Sequence, residues 1–259
     1  MKRTLLEKMP AIPWEIARLL EGGEWYDSSS SPEARVFFVD KGEGLFLKKG
    51  KKGSLAREAR MGEYFAKKGL SPAVLSYLSE EEDWLLTENA RGEDATARVH
   101  LEDPRRLAAV LGEALRALHE TEAEDCPVCD RMGEFCRTAE ENRQRGGGDL
   151  TLFGEDLFPS LDAAYAVYSE RKHLFQNEVL IHGDYCLPNV ILDGFRVSAF
   201  IDLGNGGIGD RHVDLFWGAW TLWFNLKTNA YKERFFDAYG REKIEEERLL
   251  AVAAAEVFG

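Results

Sequence analysis

His182-Gly183-Asp184 is followed by Asn189 and then, past a short apolar hairpin, by Asp202-Leu203-Gly204. A carboxylate such as Asp184 can orient an alcohol and take its proton as the oxygen attacks. Asn189 and Asp202 offer hard oxygen donors, which suit Mg²⁺, an ion that needs few protein ligands when phosphates complete its shell. One carboxamide and one carboxylate also limit the negative charge placed beside a polyphosphate. Phosphoryl transfer passes through a loose transition state, so a protein contributes mostly position and neutralisation of oxygen charge. The pattern therefore implies transfer of a terminal phosphoryl group onto a hydroxyl, with Asp184 as the catalytic group and Asn189 and Asp202 as metal ligands. A His-Gly-Asp tripeptide alone arises by chance in turns; with both partners following in order, chance explains it poorly.

Positioning these residues requires strands. Val179-Leu180-Ile181 precedes the loop, Val190 to Gly194 follows it, and Val197 to Ile201 delivers Asp202. Further upstream, Arg35 to Val39, a turn at Lys41 to Gly44 and Leu45 to Lys48 predict a hairpin. Lys49 to Gly53 reads as a basic link, Ser54 to Lys68 as a helix with Leu55, Met61, Tyr64 and Phe65 inward, and Leu75 to Leu78 and Trp84 to Thr87 as extended segments. Lys48, at a strand end, can neutralise phosphates with Glu58 of the following helix holding it, whereas Lys49, Lys51 and Lys52 read as solvated. Ser31 and nearby amides are expected over the phosphates, although no Gly-x-Gly-x-x-Gly loop is present. Phe46 is either an adenine-stacking residue or core, and the chain from Glu88 to Ala90 can offer backbone hydrogen bonds to a base.

After Gly92 the pattern turns helical. Asp103-Pro104 starts a helix ending near His119, Arg143 to Asp149 is a Gly-rich loop, and helices are expected over Leu161 to Lys172, Leu215 to Leu226, Ala230 to Tyr239 and Glu242 to Phe258. Asp214 either caps the helix from Leu215 or buttresses the catalytic loop, and a structural role is preferred. The predicted fold class is α+β: a bilobal, protein-kinase-like fold with a β-rich N-terminal lobe (1–91) for the nucleotide and a mostly helical lobe (92–259) for catalysis and the acceptor.

A formal charge of −13 and a pI near 5.0 argue against a nucleic-acid binder, which needs Lys and Arg on one face, and suit cationic partners. The most apolar stretch, Leu215 to Phe224, is too short to span a bilayer, and no signal peptide is evident, so a cytoplasmic location is expected, without membrane association. Cys126, Cys129, Cys136 and Cys186 are too few for a disulfide scaffold, and Cys126/Cys129 lacks the second pair that zinc needs.

The order His-x-Asp, Asn, Asp-x-Gly follows the protein-kinase catalytic loop and its Asp-Phe-Gly, with Gly183 in place of Arg. Together with Asp210-Arg211-His212-Val213-Asp214, Ser31-Pro32, Arg57-Glu58, Leu118-His119 and Asp125-Cys126-Pro127, the chain resembles the aminoglycoside 3′-phosphotransferases over nearly its whole length. The resemblance implies ATP or GTP as donor, Mg²⁺, and the 3′-hydroxyl of a cationic aminoglycoside as acceptor, with antibiotic resistance as the result. Carried over by position, Asp184 is catalytic, Asn189 and Asp202 bind Mg²⁺, and Lys48, Glu58, Ser31, Phe46 and Ala90 serve the nucleotide. Glu155, Asp156, Asn205, Glu256 and Phe258 fall on acceptor positions, in a monomer or weak homodimer. Phe153, Phe224 and Ala255 stand where such enzymes often carry acids, and Asn205 where they carry Arg. The alternatives are a metabolite kinase of the same fold, a non-catalytic nucleotide-binding module, or a phosphohydrolase using His182, Asp184, Asp202 and His212.

Overall fold

The computed structural model describes residues 3–29, 35–153 and 157–259. Early in the chain, β1 (Thr4–Leu5), β2 (Glu24–Asp27), β3 (Arg35–Asp40), β4 (Leu45–Lys51), β5 (Val74–Ser79) and β6 (Glu82–Glu88) form one antiparallel sheet in the order β1-β2-β3-β4-β6-β5. Helix α1 (Trp14–Leu20) packs Ile16 and Leu20 against Trp25, Phe37, Val39, Leu47, Trp84 and Leu86 of this sheet. Neither α1 nor the first two strands was anticipated. The basic link is also corrected: β4 continues through Lys49, Gly50 and Lys51, which pair with Trp84, Asp83 and Glu82. Lys49 is tied to Glu82 at 2.7 Å, so acidic β6 supplies the charge that this basic strand end needs.

Helix α2 (Ala56–Lys67) begins where buried Asp83 accepts hydrogen bonds from the backbone N–H groups of Gly53 and Leu55, each at 2.8 Å. Leu55 is the N-cap of α2, so its amide is one of the orphan donors of a helix start, and the Gly53 amide fixes the turn that leads into it. The helix turns Met61, Tyr64 and Phe65 into a core shared with the later, helical part of the chain.

That part opens with β7 (Glu93–Asp94), α3 (Arg98–Leu101) and α4 (Pro104–His119), whose N-cap Asp103 accepts from Arg106 N as its sequence predicts. Leu107, Leu111, Leu115 and Leu118 of α4 are buried, and Val110 is partly so. Helix α5 (Arg131–Gln144) was not anticipated, and it takes Arg143 out of the expected loop. Its apolar face is weak, but its start is marked by Asp130, which accepts from Gly133 N at 2.9 Å. Then follow α6 (Leu161–Arg171), β8 (Val179–Ile181), β9 (Val190–Asp193), β10 (Arg196–Phe200), β11 (Gly207–Gly209), α7 (Arg211–Leu226), α8 (Lys232–Tyr239) and α9 (Glu246–Glu256). Strands β10, β9 and β7 make one small sheet, β11 and β8 another. Helix α7 starts four residues earlier than expected, because Asp210 rather than Asp214 is its N-cap. The last helix starts late, since Arg241–Lys243 is a 3-10 turn. Among the described residues no helix is long and apolar enough to cross a membrane.

Candidate active site

The loop after β8 is fixed from three sides. His182 donates from Nε2 to Ile201 O (2.9 Å), which leaves Nδ1 to accept from Asp184 N (3.3 Å). Tyr185 Oη donates to Leu111 O of α4 at 2.9 Å, and Leu187 N donates to Thr221 Oγ1 of α7 at 3.1 Å. The fully buried carboxylate of Asp214 accepts from His182 N and Gly183 N, each at 2.7 Å. Of the two readings left open for Asp214, the buttress is therefore the observed one. Gly183 has φ +79°, and a Cβ there would sit 2.0 Å from Asn205 O, so no side chain fits. The positive φ and this close approach of Asn205 both require glycine at 183.

Asn189 is buried, and its Nδ2 donates both to Asp184 O (3.0 Å) and to Asp184 Oδ2 (2.9 Å). With its amide hydrogens so committed, the carboxamide has Oδ1 left as a hard donor. Ile201 N donates to Asn189 O at 3.0 Å, which sets the hairpin end, and with it Asp202, beside the loop. Asp202 is exposed and left-handed at φ 60°, a conformation that Asp tolerates better than most residues. Its carboxylate and Asn189 Oδ1 form a donor set that fits a hard divalent cation.

Lys48 of β4 donates from Nζ to Glu58 Oε1 of α2 at 2.6 Å and also pairs with Asp202 Oδ1. Burial opposes the ammonium charge, but Asp202 and Glu58 together outweigh it and hold the Lys48 pKa above the ordinary lysine value. Burial pushes Glu58 upward, against the pull of Lys48. Glu58, Lys48 and Asp202 thus form a row that joins the sheet, α2 and the end of β10.

A cavity of about 630 Å³ runs along that row, lined by Phe46, Lys48, Glu58, Ala90 and Asp202, with Val36, Leu85, Ile191 and Phe200 supplying apolar walls. Phe46 is partly buried against Phe38 (ring centroids 5.2 Å apart) and still faces the cavity. A second cavity of about 170 Å³ is lined by Asp184, Asn205, Glu256, Arg131, Trp217 and Gly259, among others. Glu256 accepts from Trp217 Nε1 at 2.8 Å. Burial, reinforced by the charge of Asp184, raises the Glu256 pKa to about 7.

Of the expected residues, Phe46, Lys48, Glu58, Ala90 and Asp202 line the larger cavity and Asp184, Asn205 and Glu256 the smaller, while Asn189 lines neither and is tied to Asp184. Phe258 belongs to neither: its ring is 1 % exposed, edge-on to Tyr165 in the core formed by α6 and α9. Ser31, Glu155 and Asp156 lie outside the described residues, as does the side chain of Phe153. Sequence reasoning missed Arg131, which donates from Nε to Asn205 O at 2.9 Å and pairs with Glu134. The signal was Asp130 as a helix cap, which places Arg131 on the first turn of α5. His212 donates from Nδ1 to Asp210 Oδ1 (2.6 Å) and accepts from Glu245 N at Nε2 (2.9 Å), so it cannot join His182, Asp184 and Asp202 as a hydrolase ligand. The Cys126 and Cys129 thiols donate to Val128 O and Cys126 O.

Residues 29–251 match the family model described as phosphotransferase enzyme family. A probable aminoglycoside 3′-phosphotransferase of Lactococcus lactis is 45 % identical over 258 residues, 99 % of this chain and 97 % of that one. An aminoglycoside 3′-phosphotransferase of Enterococcus faecalis is 27 % identical over 252 residues, 91 % of this chain and 93 % of its own. Among solved structures, an aminoglycoside-3′-phosphotransferase of type VIII superimposes with a TM-score of 0.73 at 26 % identity, covering 95 % of this chain and 97 % of that one.

Proposed function

Since the chain belongs to the phosphotransferase enzyme family, we propose that it transfers the terminal phosphoryl group of ATP or GTP to the 3′-hydroxyl of an aminoglycoside and so confers resistance. The observation that carries this is the pair of contact sets Glu58–Lys48–Asp202 and Asn189–Asp184, set side by side by the bond from Ile201 N to Asn189 O, with Asp202 lining the large cleft and Asp184 the small one. In this reading residues 1–91 hold the nucleotide and 92–259 the catalytic loop and acceptor. The base lies between Phe46 and the backbone near Ala90, and Ser31 lies over the phosphates. Lys48, charged and held by Glu58, neutralises the α- and β-phosphates. Asn189 and Asp202 would hold Mg²⁺, which when bound neutralises developing charge on the phosphate oxygens.

Asp184 accepts a hydrogen bond from the acceptor hydroxyl and aims its oxygen at the terminal phosphorus. Asn189 holds that carboxylate by its Oδ2, leaving Oδ1 for the acceptor. Glu256 and Asn205, with Glu155 and Asp156, serve the amino-sugar, and Phe258 acts only through the core of α6 and α9. The relatives' names support an aminoglycoside, as does an acidic chain of net charge −13. The enzyme works as a cytoplasmic monomer or weak homodimer.

A second reading, a metabolite kinase of the same fold, is favoured by the buried Arg131 in the smaller cavity, since a guanidinium opposes a polycationic acceptor. The deciding experiment measures ADP release with kanamycin, neomycin and a panel of amino alcohols and sugars, beside drug susceptibility of a sensitive bacterium expressing the chain. Turnover of an aminoglycoside with raised resistance is expected. Turnover of a metabolite alone, with unchanged susceptibility, contradicts the main reading.

A further inference from the structure

Asp214 holds two backbone amides directly before Asp184, and a third donor holds Asp214. His119 at the end of α4 lies with Nε2 3.1 Å from Asp214 Oδ2 and with Nδ1 2.8 Å from Tyr239 Oη of α8. Tyr239 Oη in turn lies 3.3 Å from Arg211 Nη1. The chemistry of the end groups fixes every hydrogen along this path. An ionised carboxylate only accepts, so Nε2 of His119 carries its hydrogen and Nδ1 must accept. A guanidinium only donates, so the Tyr239 oxygen accepts from Arg211 and gives its own hydrogen to His119. Burial lowers the His119 pKa, against the pull of Asp214, which keeps the ring in this neutral form. His119 is 6 % exposed and Tyr239 is fully buried, and neither lines the two cavities.

We infer that His119 and Tyr239 are positioning residues for phosphoryl transfer: they fix the Asp214 carboxylate, and through its grip on the His182 and Gly183 amides they fix where Asp184 meets the acceptor. The inference rests on the reading of Asp184 as the group that orients the hydroxyl. A carboxylate bound by two amides alone can tilt about them, whereas the third donor removes that freedom. Because the relay lies behind the loop, its loss moves Asp184 without touching nucleotide or acceptor. Misplacement on the order of 1 Å costs roughly a hundredfold in rate.

The test is steady-state kinetics of Tyr239→Phe, His119→Ala, His119→Gln and Asp184→Asn, with nucleotide affinity measured alongside. Tyr239→Phe keeps the ring and its packing, so it decides the matter even if His119→Ala folds poorly. Expected is a roughly threefold to tenfold fall in kcat for Tyr239→Phe and about tenfold to a hundredfold for His119→Ala, with both KM values within about twofold. His119→Gln, which can still donate to Asp214, recovers most of the loss. Tyr239→Phe with unchanged kcat, or with KM rising as kcat falls, overturns the relay while Asp184→Asn still abolishes turnover. If Asp184→Asn itself turns over normally, the reading of Asp184 fails instead.

Discussion

Glu256 carries the sharpest consequence at the level of single residues. Its carboxyl is half-ionised near neutral pH, so attraction for a cationic acceptor grows as pH rises through about 7. The acceptor KM is expected to fall over that interval in the wild type and to lose the trend in Glu256→Gln; parallel profiles contradict the assignment. Stability runs the other way. A carboxyl whose folded pKa lies above its unfolded value binds more protons in the fold, so its contribution is complete below the unfolded value and is lost as pH rises through about 7. Glu256→Gln therefore melts with less dependence on pH between 5 and 8, by on the order of 2 kcal/mol. Gly183 gives a steric prediction: Gly183→Ala places a Cβ against Asn205 O at 2.0 Å and should cost several kcal/mol, on the order of 3, seen as a lowered melting temperature. Asp184, Asn189 and Asp202 can be proposed from the sequence because phosphoryl transfer constrains residue type and order. Asp214 was legible only as a pair of alternatives, since nothing local distinguishes a cap from a carboxylate reaching two amides across the fold. Phe258 was misplaced for a related reason: its position in the chain does not reveal that its ring turns into the core.

Among the elements, α2 joins the two halves, because it starts on the sheet and ends in the helical core. Asp83 holds its first turn and so the placement of Glu58 and Lys48. Burial opposes the Asp83 charge, yet donors from Ser79, Gly53, Leu55 and Tyr77 prevail and lower its pKa. Asp83→Ala leaves those donors without a partner and should cost about 2–4 kcal/mol while raising the nucleotide KM; an unchanged KM in a destabilised protein would separate α2 from the nucleotide site. Long periodic helices such as α4 were legible because four leucines recur on one buried face. Helix α5 was not, since Glu134, Arg137, Glu140 and Glu141 dilute its periodicity and only its cap marks it. The strand character of Lys49 to Lys51 was hidden for a similar reason: pairing with acidic β6, a tertiary fact, overrides the composition of a loop.

Across the whole molecule, a cavity of about 630 Å³ lined by Asp202 and Leu203 and one of about 170 Å³ lined by Asp184 and Asn205 flank the 3-10 turn Leu203–Asn205. A net charge of −13 should draw a polycation to the smaller cavity, so kcat/KM for an aminoglycoside is expected to fall severalfold between roughly 0.05 and 0.5 M salt. A neutral acceptor should show no such slope. The mixed fold class was legible from the change from alternating to helical patterning, whereas the smaller cavity depends on packing between α5, α7 and α9 that no local pattern records. The most direct test of the central claim is single-turnover phosphorylation of kanamycin by wild type and Asp184→Ala, with nucleotide affinity measured on both. A fall in rate of at least about a thousandfold is expected, with nucleotide affinity within a fewfold of wild type. An Asp184→Ala enzyme that phosphorylates at the wild-type rate would contradict it.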